Sequence, residues 1–85
     1  MAKFATLRVT RAQGTGGHNA ELDAYYSHLV AYGPTPEDAI RRLLREPAML
    51  EVYRPYCEKV LAGLIGWTYS YTDVAIGIQF STMVL

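Results

Sequence analysis

The chain has 85 residues, enough for one hydrophobic core and too few for two, so a single domain spanning residues 1–85 is expected. Its hydrophobic share of 51% is high for so small a domain, which points to an interface covering part of the apolar surface. Eight Lys and Arg balance eight Asp and Glu, and the missing net charge removes the long-range field that non-specific nucleic-acid binding needs.

Cys57 is the single cysteine and cannot form an internal disulfide, and no CxxC or Cys/His cluster offers zinc ligands. No metal or cofactor is expected. Met1-Ala2-Lys3-Phe4 lacks the basic-then-apolar layout of a secretory signal, and no apolar run nears the ~18 residues of a membrane span. A soluble protein of the reducing cytoplasm is the expectation.

From Phe4 to Arg11 the chain alternates, with Ala5, Leu7 and Val9 on one face and Thr6, Arg8 and Thr10 on the other, as in a strand with one wet side. Gln13 to Asn19 follows as a loop made mobile by Gly14, Gly16 and Gly17. Ala20 to Tyr32 fits two periods. Leu22, Tyr25, Tyr26, Leu29 and Val30 form a helical stripe, with Asn19 as a cap and Gly33-Pro34 as a stop. Leu22, Ala24, Tyr26, Val30 and Tyr32 also fit period two. The balance tips to a strand over Tyr25 to Tyr32, and the helix stays open as the alternative.

Thr35 can cap a helix that starts at Pro36, with Asp38 placed as a capping-box partner and Glu37 and Asp38 at the positive end of the dipole. That helix is expected to run from Pro36 to about Arg45, burying Ala39, Ile40, Leu43 and Leu44 and turning Arg41, Arg42 and Arg45 outward. Pro47 is read as starting a second helix through Met49, Leu50, Val52 and Tyr53, which Pro55 ends or kinks. A further helix from Tyr56 to Ile65 would bury Tyr56, Val60, Leu61 and Leu64 and stop at Gly66. From Trp67 to Leu85 the pattern is strand again. Trp67, Tyr69 and Tyr71 alternate with Thr68, Ser70 and Thr72, and the phase slips before Val74, Ile76, Ile78, Phe80 and Val84, so Thr72-Asp73 is read as a hairpin turn. The fold class expected is α+β, a small antiparallel sheet including a C-terminal β-hairpin, packed against two or three helices.

The side chains with chemical potential each have a plainer use. Gly14-Thr15-Gly16-Gly17 lacks the Lys-Ser/Thr of a phosphate loop and reads as a hairpin loop. His18 and His28 have no carboxylate at metal-ligand spacing. Cys57, beside Glu58 in an apolar stretch, reads as a buried structural cysteine. Glu37 and Asp38 serve the helix start, and Glu21 with Asp23 edges a loop. A non-enzymatic protein is the expectation. Two groups suit recognition: the basic patch Arg41, Arg42 and Arg45, and the tyrosines Tyr69 and Tyr71 with Gln79 on the terminal hairpin.

The tail Tyr69-Ser70-Tyr71-Thr72-Asp73-Val74, with Phe80 and Leu85 after it, resembles the ending of small phage-encoded anti-CRISPR proteins that bind the nuclease domain of a type II-C CRISPR effector. In that family a small polar pair precedes the aromatic, whereas Ile78-Gln79 precedes Phe80 here. The resemblance implies a non-catalytic inhibitor, acting in the host cytoplasm, that blocks a CRISPR-Cas effector complex by binding one of its subunits. A second stretch, Ala31-Tyr32-Gly33-Pro34-Thr35-Pro36-Glu37-Asp38-Ala39, resembles the strand-to-helix junction of HicB-type antitoxin half-domains. That likeness implies a regulatory module that masks a toxin or binds RNA-like partners, and a homodimer built by pairing exposed sheet edges is the third form of interaction expected.

Overall fold

The computed structural model describes residues 3–14, 16–63, 68–73 and 77–84, with the backbone alone for 68–73 and Val84. Strands β1 (Lys3–Arg11), β2 (His18–Ala24) and β3 (Ser27–Gly33) are followed by helices α1 (Pro36–Leu44) and α2 (Arg54–Leu61), then by strands β4 (Thr68–Asp73) and β5 (Ile78–Val84). The class is α+β. One five-stranded sheet has the order β3-β2-β1-β5-β4, and the helices pack on one of its faces.

The sheet is mixed, which corrects the all-antiparallel expectation. Three pairings are antiparallel, but β5 lies parallel to β1, with Ala5 opposite Phe80 and Leu7 opposite Thr82. The cause is the helical crossover. The chain leaves the β3 edge, passes through α1 and α2, enters at the other edge as β4 and turns back beside β1 as β5. A parallel neighbour demands such a long connection, whereas hairpin pairs do not.

The strand expected over Tyr25 to Tyr32 is present as β3 but begins at Ser27, while Ala20 to Ala24 belongs to β2 and no helix forms. The segment is the second arm, turn and third arm of a meander, with Tyr25-Tyr26 as the turn between Ala24 and Ser27. That turn reverses the burial phase. Ala20 and Leu22 point inward before it and Ala31 after it, while Val30 and Tyr32, in phase with Leu22 along the sequence, become exposed. The tyrosine pair is held in place by Lys3, whose ammonium lies 5.0 Å from the Tyr26 ring centre and 5.9 Å from that of Tyr25.

The first helix forms as its sequence implies. Thr35 Oγ1 accepts from the Asp38 N–H at 3.1 Å, Pro36 occupies the first turn, and Arg45 is the C-cap. The Asp38 carboxylate does not complete a capping box; it accepts from Arg41 Nη1 at 3.1 Å. Helix α1 can sit close to the sheet because Ala5, Ala20 and Ala31 are small and Gly33 has no side chain. A Cβ at Gly33 would overlap the backbone nitrogen of Ala39.

Residues 46–53 are successive turns rather than the helix expected from Pro47, held by Met49 N–H to Glu46 C=O and Tyr53 N–H to Leu50 C=O. Pro55 opens α2 instead of ending a helix, since a missing N–H costs nothing in a first turn. The helix stops at Leu61, before Gly63 at φ +75; the expectations for Leu64, Ile65 and Gly66 lie outside the described residues. Thr72 and Asp73 are strand residues opposite Gln79 and Ile78, not the turn expected there, and Gly77, ahead of β5, has φ +68. Trp67, Val74, Ile76 and Leu85 also lie outside the described residues.

The core lies between the sheet and the helices. Leu7, Val9, Leu22, Ile78 and Phe80 meet Ile40, Leu43, Tyr53, Tyr56 and Cys57 there. Tyr56 stacks on Phe80 with ring centres 4.4 Å apart, and its hydroxyl hydrogen-bonds that of buried Thr82. Among the described residues, no helix is long and apolar enough to cross a membrane.

Candidate functional site

Among the described residues, helices cover one face of the sheet only. The other face takes the residues that alternate with the core positions: Phe4, Thr6, Arg8 and Thr10 from β1, Glu21 and Asp23 from β2, His28, Val30 and Tyr32 from β3, and Gln79, Ser81 and Met83 from β5. Large apolar side chains stand exposed there, with Phe4 at 48%, Val30 at 52% and Met83 at 44%.

A polar line crosses its middle. The register puts Arg8 opposite Glu21 and Glu21 opposite Val30, with His28 on the next row. Arg8 Nη1 donates to Glu21 Oε1 at 2.5 Å, and His28 Nε2 meets Glu21 Oε2 at 2.6 Å. The His28 hydrogen bond, joined by Arg8, holds the Glu21 carboxyl below the usual carboxylate range. Thr6 and Ser81 hydroxyls bond at 3.0 Å one row away. These groups satisfy one another, which makes the line a rigid positioning feature of the surface.

The residues expected to carry recognition fall in separate places. Gln79 is exposed on the open face, opposite Phe4 and Thr72. Tyr69 and Tyr71 pair with Thr82 and Phe80, so their register positions alternate with that of Gln79, and their side chains lie outside the described residues. Arg41, Arg42 and Arg45 are exposed on α1. Arg41 is engaged with Asp38, and Arg42 Nη1 donates to the carbonyl of Tyr32 at 3.0 Å, so the basic patch is partly committed to the fold.

The groups considered for chemistry are dispersed. Cys57 is fully buried, and loss of solvent pushes its thiol up to about 12, far from a nucleophile's range. His28 is on the open face and His18 begins β2, where its Nδ1 is buried without a partner among the described residues. No group of three or more His, Cys, Asp or Glu side chains among the described residues could hold a metal ion. Gly17, in the glycine loop, lies against the Tyr32 hydroxyl, and its carbonyl accepts from Ala12 at 2.9 Å. That loop closes a hairpin.

Sequence reasoning passed over the open-face set of Phe4, Arg8, His28, Val30 and Met83. The wet side of β1 was visible in the alternation, but the meeting of Arg8 with Glu21 and His28 depends on a register that periodicity does not report. No protein-family model, curated protein or solved structure matches this chain.

Proposed function

We propose that this chain is a non-catalytic interaction protein whose partner is another protein. The observation that carries this reading is the uncovered sheet face, where Phe4, Val30 and Met83 stand exposed around the Arg8–Glu21–His28 line. Exposed apolar side chains set beside a fixed line of polar groups give a surface both greasy and directional enough to bind a protein. Zero net charge favours a protein partner over a nucleic-acid backbone.

The specific partner we propose is a CRISPR-Cas effector subunit, which the chain would block as a phage or mobile-element inhibitor; the likeness of the tail supports this choice. Co-purification with a panel of effector complexes, followed by target-cleavage assays, tests it. Binding with loss of cleavage is expected, and failure to bind or inhibit any member removes the CRISPR reading. Gln79→Ala should weaken the complex while the melting temperature barely moves, and replacing Arg41, Arg42 and Arg45 together should weaken it with only a modest loss of stability from the exposed bonds to Asp38 and the Tyr32 carbonyl. Tyr71 stands in register opposite the core residue Phe80, so Tyr71→Ala separates two roles: weaker binding at an unchanged melting temperature fits recognition, and a stability loss of ~3–5 kcal/mol assigns that position to the core.

An antitoxin-like regulator is the second reading, supported by the edge-strand-to-helix junction at residues 31–39, where Gly33 and Thr35 have defined structural tasks. Rescue of growth by co-expression with a neighbouring toxin would favour it over the first.

A further inference from the structure

The hydrogen-bond phase of the sheet determines which backbone groups of β3 face outward. Tyr25 N–H donates to Phe4 C=O and Ala12 N–H to Gly17 C=O, both at 2.9 Å. In the β1–β2 register these bonds bracket a series that also includes Thr6 with Asp23, Arg8 with Glu21 and Thr10 with Asn19. On β2, therefore, the odd-numbered residues turn their amides toward β1, and His18, Ala20, Leu22 and Ala24 turn theirs toward β3. Their partners are Gly33, Ala31, Leu29 and Ser27. The amides of His28, Val30 and Tyr32 are left facing away from the sheet, and the bond from Arg42 to the Tyr32 carbonyl agrees with that assignment.

Both ends of this edge are occupied. Arg42 holds the Tyr32 carbonyl at 3.0 Å, and Tyr26 N–H donates to Tyr53 Oη at 3.2 Å. Between them, the N–H and C=O of His28 and of Val30 have no partner among the described residues. A seven-residue edge strand with no proline and an open centre is a template for a further strand.

We propose that β3 pairs antiparallel with β3 of a second copy of this chain, about a two-fold axis at Leu29, to give one sheet continuous across a homodimer. In that register His28 of each copy lies opposite Val30 of the other, so every open N–H meets an open C=O. Tyr26 falls opposite Tyr32, which sets the occupied donor of one copy against the occupied acceptor of the other. Moving the axis to Val30 or Ala31 would require the carbonyl that Arg42 already holds. Moving it to His28 would match Val30 with the occupied Tyr26 N–H. The pattern of open and occupied groups is thus self-complementary about Leu29, which favours a second copy over an unrelated extended peptide.

The side chains agree. Leu29 is only partly buried and packs against the core, and at the axis it would meet its own copy in a non-hydrogen-bonded pair, where side chains approach most closely. His28, Leu29 and Val30, the residues that meet across the seam, include no carboxylate, ammonium or guanidinium group. His28 and Val30 also belong to the open face, so the seam joins the open faces of the two copies into one surface.

Light scattering of the full chain at tens of micromolar should give twice the monomer mass. Val30→Pro removes an outward N–H without touching the bonds to β2 and should give a folded monomer by circular dichroism. Under mild oxidation Leu29→Cys should cross-link as a dimer, because antiparallel non-hydrogen-bonded pairs hold Cα atoms ~4.5 Å apart, within the ~4.4–6.8 Å of a disulfide. Val30→Cys should not cross-link, since its two copies are offset along the strands. Buried Cys57 does not compete for the oxidant. A monomer at ~100 μM, a dimer that survives Val30→Pro, or cross-linking at Val30→Cys in preference to Leu29→Cys would each overturn the proposal. Should Val30→Pro fail to fold, the two cysteine variants decide the matter.

Discussion

The two faces of the sheet are built from the same strands by opposite means. On the covered face, Leu7, Leu22, Phe80 and the helix side chains exclude water, and buried hydroxyls are engaged, that of Tyr56 with Thr82 and that of Tyr53 with the Tyr26 N–H. On the open face, order comes from cross-strand bonds among Arg8, Glu21 and His28 and between Thr6 and Ser81, while apolar side chains remain in water. Burial makes the first face indispensable to folding. The second contributes little to stability and is free to be shaped for binding, because exposed ion pairs add only ~0–1 kcal/mol.

The covered face is most sensitive at Phe80. Its ring is fully buried and stacks on Tyr56, so Phe80→Ala should cost ~3–5 kcal/mol, read as a fall in the denaturation midpoint. Gly33→Ala comes next, by overpacking. The added methyl would meet the backbone of α1, which cannot step aside as a side chain could, so a loss at the upper end of ~1–3 kcal/mol is expected. A loss under ~0.5 kcal/mol would mean that α1 lifts from the sheet freely.

Much of the covered face was legible in the sequence. Thr35, Pro36 and the Ala39, Ile40, Leu43 stripe define α1, because capping and periodicity act within a few residues. Ala5, Leu7 and Val9 define β1 for the same reason. The Tyr25-Tyr26 turn was hidden because it lacks glycine, asparagine and proline, and its phase shift mimics helical spacing. The parallel contact of β1 with β5 was hidden for another reason, since local alternation carries no information on the direction of a strand that arrives some 70 residues later. The same loss of register concealed the open-face ion line and the occupied ends of β3.

The covered face also has an alkaline limit. Cys57 titrates near 9.0 when exposed and at about 12 when buried, so its neutral form is favoured by folding. Its contribution is whole below pH 9 and is lost as pH rises from 9 toward 12. At pH 10 the loss is on the order of 1 kcal/mol, at ~1.4 kcal/mol per unit of displacement. Urea midpoints at pH 8 and pH 10 should therefore separate, and Cys57→Ala should reduce the separation. An unchanged separation in that variant would place the alkaline sensitivity elsewhere.

On the open face the expected effects are smallest, and their pH dependence runs the other way. Glu21 is held below its exposed value of 4.5 by its bonds to His28 and Arg8, so folding favours the charged carboxylate. Its contribution is present above about pH 4.5 and is lost as pH falls through the folded-state pKa. Glu21→Gln should cost ~0.5 kcal/mol or less at pH 7 and less still at pH 3, so the variant's acid limb becomes slightly shallower than the parent's. The same substitution removes the acceptor that fixes both Arg8 and His28, and binding should therefore suffer more than folding. If Glu21→Gln instead destabilised the chain as much as Phe80→Ala, the open face would be part of the folding core, and the division of labour between the two faces would fail.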